Sequence, residues 1–175
     1  MPHLPDEIWL QIIHYVPPAD LWRNMRLTSK QMLRCTEDYV SKGSGMLEEM
    51  TIGLAFSLAA GPHHRWYDVR GTITFSFVEV NKHNQDYARF GSCQVHPPRM
   101  IDRGVEQWRQ ISTGGPGERQ EWRLQHGRDS TKLVKLRKLV ADADGVYCDW
   151  RELFDAYYGQ KQRDVYGRVV PHQQI

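Results

Sequence analysis

Little in this sequence points to covalent chemistry. Only three cysteines occur in 175 residues. Cys35, Cys93 and Cys148 are widely separated and odd in number, which fits reduced thiols better than a disulfide framework. No Cys-x-x-Cys pair exists, and His63, His64, His83, His96 and His126 never pair at the i, i+4 spacing of a helical zinc site. No excess of one charge exists either: the formal net charge is +2, too balanced to imply a nucleic-acid or membrane partner. No apolar run approaches the ~20 residues that span a bilayer, the least polar stretch being residues 50–61. No basic-then-apolar leader opens the chain, so an intracellular protein, cytoplasmic or nuclear, is expected. Fixed-period repeats and low-complexity tracts are missing, as is a Gly-x-Ser-x-Gly elbow. The glycine-rich residues 114–117 lack the Gly-Lys-Ser/Thr of a phosphate loop. These absences predict a protein that is not an enzyme, with no cofactor and no metal.

Two charged stretches fit ordinary surface roles. Asp142-Ala143-Asp144-Gly145 echoes a calcium loop, but placing Gly145 at the required glycine puts Val140 and Arg151 where the first and last carboxylates belong. A turn before the last helix explains it. Lys132, Lys135, Arg137 and Lys138 alternate with Leu133, Leu136 and Leu139, and the spacing predicts a helix over residues 131–141 with Leu133, Leu136 and Val140 inside. Its basic side reads as a solvated face, although nucleic acid or an acidic partner would fit it.

What the chain does have is a strongly ordered start. Pro5 suits a first helical turn, and Asp6 and Glu7 favour the positive end of the helix dipole. Ile8, Trp9, Ile12, Ile13 and Val16 follow at helical spacing until Pro17-Pro18 stops the run. Asp20 is placed to cap a second short helix carrying Leu21, Trp22 and Met25. Thr28 or Ser29 is placed to cap a third, with Met32, Leu33, Thr36 and Tyr39 on one side. Helices this short are marginal alone, so they must pack on one another or on a partner. The apolar face of the first is wide enough to do both.

Over residues 3–40 this order resembles an F-box. Leu4, Pro5, Glu7, Ile8 and Ile12 fit its opening, Pro18-Ala19-Asp20-Leu21 its turn, and Leu27, Ser29 and Lys30 its apolar-Ser/Thr-Lys element. The chain departs from the pattern at Gln31-Met32, where the family often has a large aromatic; Met32 can fill that space. The resemblance implies docking to a Skp-type adaptor of a cullin-based ubiquitin ligase. Leu4, Pro5, Ile8, Ile12, Leu21 and Leu27 would be the adaptor-binding residues, and the rest of the chain would select a protein substrate.

That remainder matches no pattern of its own. Residues 41–45 read as a hinge, which divides the chain into a module over 1–45 and a recognition domain over 46–175. Beyond it, Ile52, Leu54, Phe56 and Leu58 alternate as in a strand, a helix over residues 46–60 being the competing reading. Ile73, Phe75 and Phe77 mark a second strand over residues 71–80, and residues 87–95 a third. A short helix is expected over 105–111, and a strand over 121–126 with Trp122 and Leu124 on one side. A helix is expected over 149–158, capped by Asp149 and ended by a left-handed Gly159. The fold class is therefore α+β: an N-terminal three-helix module followed by a small antiparallel sheet with helices. The substrate surface is expected around residues 150–158; Trp150, Phe154 and Tyr157 are expected to pack against the sheet, which leaves Tyr158, at the edge of the stripe, as the substrate-binding candidate. The alternative function is a small ligand-binding or enzymatic domain in which Phe75, Phe77, Tyr87 and Phe90 shape a pocket.

Overall fold

The computed structural model describes residues 4–42, 45–58, 69–82, 84–114, 121–137 and 139–159. Helix α1 (Asp6–Ile13) follows Pro5 and carries Asp6 and Glu7 in its first turn. Helix α2 (Pro18–Arg23) starts on Pro18, whose missing N–H costs no bond there. Asp20 lies inside that first turn and is not its cap; it accepts a bond from Asn24 Nδ2 at 3.3 Å. A 3-10 turn (Met25–Leu27) leads to α3 (Lys30–Ser41). Its cap is Ser29, whose Oγ accepts the Met32 N–H at 3.1 Å.

The rest of the described chain builds one antiparallel sheet with two helices. In chain order these are β1 (Met50–Leu58), β2 (Val69–Val80), β3 (Tyr87–His96), α4 (Ile101–Ser112), β4 (Glu121–His126), β5 (Lys132–Val134), β6 (Leu139–Asp142), β7 (Gly145–Asp149) and α5 (Trp150–Tyr158). The seven strands lie in the order β5-β4-β1-β2-β3-β7-β6. That order forces a curl. β5 and β6 are consecutive in sequence yet sit at opposite edges, joined only by residues 135–138. Five Cα steps reach at most ~18 Å, whereas seven flat strands would separate the edges by ~29 Å.

Alternation then fills the inside of the curl. Ile52 lies opposite both Phe75 and Leu124, and Phe90 opposite both Phe77 and Val146. Ile52, Phe75, Phe90, Leu124 and Val146 are fully buried. Helix α4 covers part of this face, with the Trp108 ring 4.6 Å from that of Phe75. Gly104 permits the close approach, since a Cβ there would lie 2.7 Å from the Val95 methyls. Phe75 and Phe90 are thus core residues.

Several expectations change here. Residues 131–141 hold no helix: Lys132–Val134 and Leu139–Asp142 are the two edge strands. Leu133 and Val140, expected inside, are 58% and 57% exposed, while Val134 is buried. Lys138 lies outside the described residues. The 142–145 turn joins β6 to β7 and not two helices; Asp142 Oδ1 accepts the N–H groups of Asp144 and Gly145 at 2.8 and 3.1 Å. Residues 46–49 form a turn before β1, so the helical reading of 46–60 fails. Helix α4 is longer than expected, and Gly159 is right-handed with φ −72°. Asp149 does cap α5, accepting from Arg151 and Glu152 N–H. Residues 43–44 of the expected hinge, and residues 115–117 of the glycine-rich stretch, lie outside the described residues.

Candidate functional site

The exposed apolar side of α1 is built from below by α3. Ile13, Met32, Cys35 and Val40 are buried, which leaves the opposite edge of α1 to solvent. Leu4, Ile8 and Ile12 are 40–41% exposed and Leu27 is 70% exposed; Pro5 is exposed as well. Five of the six residues expected to bind an adaptor therefore present apolar surface. Leu21 does not: it is fully buried. It supports α2 from within and offers no contact to a partner, which corrects its place in the expected binding set.

Two polar residues that sequence reasoning missed hold this edge in place. Gln31 Nε2 donates to Leu4 O and to Asp6 Oδ1, both at 2.8 Å. Arg34 pairs with Asp6 Oδ2. The Gln31 bond, and then Arg34, hold the Asp6 carboxyl below the usual carboxylate range. Gln31 stands at the departure from the F-box pattern, and there it ties the extended Leu4-Pro5 segment to α3. Only the Asp6/Arg34 charge pattern could have signalled the second contact.

Beside this edge lies an open groove of about 660 Å³, lined by Leu10, Gln11, His14, Tyr15, Asp38, Tyr39 and Lys42. Within it His14 Nδ1 and the Tyr39 hydroxyl are hydrogen-bonded at 3.2 Å, and Lys42 pairs with Asp38 at 2.9 Å.

The aromatics of α5 occupy the interior. Trp150, Phe154 and Tyr157 are buried, and Tyr158 is only 3% exposed. The Tyr158 ring stacks on Phe154 at 5.8 Å, and His126 packs 5.9 Å away. Tyr158 is therefore a core residue, which corrects its expected position at a contact surface. Burial pushes its phenol well above the usual tyrosine range. His126 Nε2 lies 3.1 Å from Met46 O, an acceptor only, so that nitrogen carries the proton. This bond fastens the turn before β1 to β4.

The α5 helix also holds the helical module. Trp22 packs 4.9 Å from Phe154 and 6.1 Å from Trp150. Asp155 Oδ1 accepts both Trp22 Nε1 at 2.8 Å and Arg26 at 2.9 Å. Arg23 donates to Tyr158 O and Lys132 Nζ to Tyr157 O, so two cations satisfy carbonyls at the negative end of α5. Arg151 adds ion pairs to Glu37 of α3 and to Asp86. Asp155 lies 133 residues from Trp22 in sequence, and nothing local in the sequence signals their meeting.

Among the described residues, no three His, Cys, Asp or Glu side chains converge as metal ligands would. His63, His64 and His83 lie outside them. No helix among the described residues is long and apolar enough to cross a membrane. No curated protein and no solved structure matches the chain. One family model does, the F-box-like model, over residues 1–41. The N-terminal helices that carry the exposed edge therefore coincide with an F-box-like region.

Proposed function

We propose that this protein is a substrate-recognition adaptor of a cullin-based ubiquitin ligase, acting in the cytoplasm or nucleus. The α1 edge docks a Skp-type adaptor, and the curled sheet with its helices selects a target protein. The role requires no catalytic residue. The observation that carries the reading is the exposure of Leu4, Pro5, Ile8, Ile12 and Leu27 on a packed helical module that matches an F-box-like model. An edge with this much apolar surface is what a docking helix needs and a solitary protein avoids.

Burying one such side chain is worth ~1.5–3 kcal/mol, about a tenfold to hundredfold change in affinity. Co-purification of the full chain with a Skp-type adaptor tests the proposal. Capture is expected for the native chain and loss for an Ile8→Asp variant that keeps its helical circular-dichroism signal. Equal capture of a Pro5→Ala/Ile8→Asp double variant would sink it.

A further inference from the structure

The exposed line on α1 does not stop at Ile12. Helix α1 ends at Ile13, yet its winding continues: the Tyr15 N–H bonds Ile12 O and the Val16 N–H bonds Ile13 O, both at 3.0 Å. Pro17, the cap residue of α2, then ends it. Tyr15 is thereby brought back over the exposed side. Ile8, Ile12 and Tyr15 stand at i, i+4 and i+7, the spacing with which one helix face seats against a partner.

Tyr15 is 85% exposed, more than Leu4, Ile8, Ile12 or Leu27. Its ring carries more contact area than any of those aliphatic side chains. It is also braced. The His14 imidazole meets it edge-on, with centroids 5.4 Å apart and planes at 84°. His14 Nδ1 is in turn hydrogen-bonded to the Tyr39 hydroxyl of α3 at 3.2 Å. A ring already held gives up little conformational freedom on binding, and tyrosine is among the residues that most often dominate an interface.

The groove between α1 and α3 opens beside this ring, with Leu10 and Tyr39 also among its walls. Its acidic and basic residues, Asp38 and Lys42, pair with each other at 2.9 Å. What it offers an incoming group is therefore aliphatic and aromatic surface. Continuity names the occupant. Tyr15 lies within one helical turn of Ile12, so a partner that covers Ile8 and Ile12 reaches Tyr15 and the mouth of the groove as well.

We infer that Tyr15 is a further adaptor-docking residue, and that the groove beside it receives an apolar side chain of the same Skp-type adaptor. The inference rests on the adaptor reading above and extends the contact beyond the residues that reading names.

Titration calorimetry of the full chain with a purified Skp-type adaptor tests it, beside hydroxyl-radical footprinting of the free and bound chain. Tyr15→Ala is expected to weaken binding at least ~10-fold. Its melting temperature should stay native, because the ring lies in solvent. Gln11→Trp puts a bulky ring at the groove and is expected to weaken binding roughly threefold or more. Val140→Ala, at a 57% exposed site on the sheet, is expected to bind like the native chain. In the footprint, which needs no variant, Tyr15 should lose most of its labelling when the adaptor is bound. A native chain that binds no adaptor brings down the adaptor reading and this inference together. A native chain that binds, and fails to bind with Ile8→Asp, isolates the inference. Binding of Tyr15→Ala within about twofold of native, native binding by Gln11→Trp, or a Tyr15 ring still fully labelled in the complex would then overturn it alone.

Discussion

Gln31 holds the leading end of the docking edge with one amide. Its two bonds, to Leu4 O and Asp6 Oδ1, fix the segment that leads into α1. Loss of that amide frees Leu4 and Pro5 to move before any partner binds, and ordering them again must come from the binding energy. Gln31→Ala is therefore expected to weaken adaptor capture by roughly threefold to tenfold while leaving thermal unfolding nearly unchanged. Titration calorimetry beside a melting curve separates the two effects. The pH dependence has a definite sign. A depressed Asp6 carboxyl contributes above the ordinary carboxylate range and is lost as pH falls through its lowered value. Loosening of the Leu4-Pro5 segment is thus expected only in acid, followed as an Asp6 carboxyl titration by NMR. A carboxyl that titrates at its ordinary value would remove Gln31 from this role.

Among the elements, α5 buries Trp150, Leu153, Phe154, Tyr157 and Tyr158 and carries the clearest prediction. Burial raises the phenols of both Tyr157 and Tyr158. The unfolded chain then gives up those protons first. Their contribution is whole below the ordinary tyrosine value of ~10 and is lost as pH rises through and beyond it. Tyr158→Phe removes one of the groups that must ionise, so its stability should fall less steeply with alkali than that of the native chain. Denaturant midpoints at neutral and alkaline pH, with tyrosinate absorbance, check this; parallel curves would refute it. The elements also differ in how well their sequences announce them. β1, β2 and α5 were legible because long runs with one period dominate locally, from Ile52 to Leu58 and from Ile73 to Phe77, and because Asp149 is a true cap. The 131–141 segment was misread because Leu133, Leu136 and Val140 imitate helical spacing. Two strands of three and four residues are too short to show a period of two, and pairing with β4 and β7 decided their state instead. At the docking edge the apolar residues were readable. The burial of Leu21 and Tyr158 was not, because it depends on contacts between helices that are far apart in sequence.

For the whole molecule, the decisive feature is that one hydrophobic core crosses the junction near residue 45. Trp22 is 2% exposed, yet its ring neighbours are Trp150 and Phe154, and its indole N–H bonds Asp155. A fragment ending at residue 45 would strip those partners away and leave Trp22 to solvent on a short helix. Helices of this length do not persist unaided. The simple test of cutting the chain there and asking whether the fragment keeps its docking partner is therefore expected to fail through loss of structure, not through loss of the docking residues. Two results would support this account. The fragment over residues 1–45 should show weak helical circular dichroism and no cooperative melt. In the full chain, Trp22→Ala should cost ~3–5 kcal/mol by removing a large buried ring and should lower the melting temperature of helices and sheet together. Asp155→Asn is the gentler companion. It keeps the shape but weakens the Arg26 pair, which is half exposed on the acidic side, so a loss of ~1 kcal/mol or less is expected. A Trp22→Ala chain whose sheet melts at the native temperature while α1 to α3 melt early would show two independent units. Cooperative loss of both would instead mean that the docking edge and the curled sheet are held at one fixed orientation. A target gripped by the sheet would then be presented to whatever the α1 edge docks along a single direction.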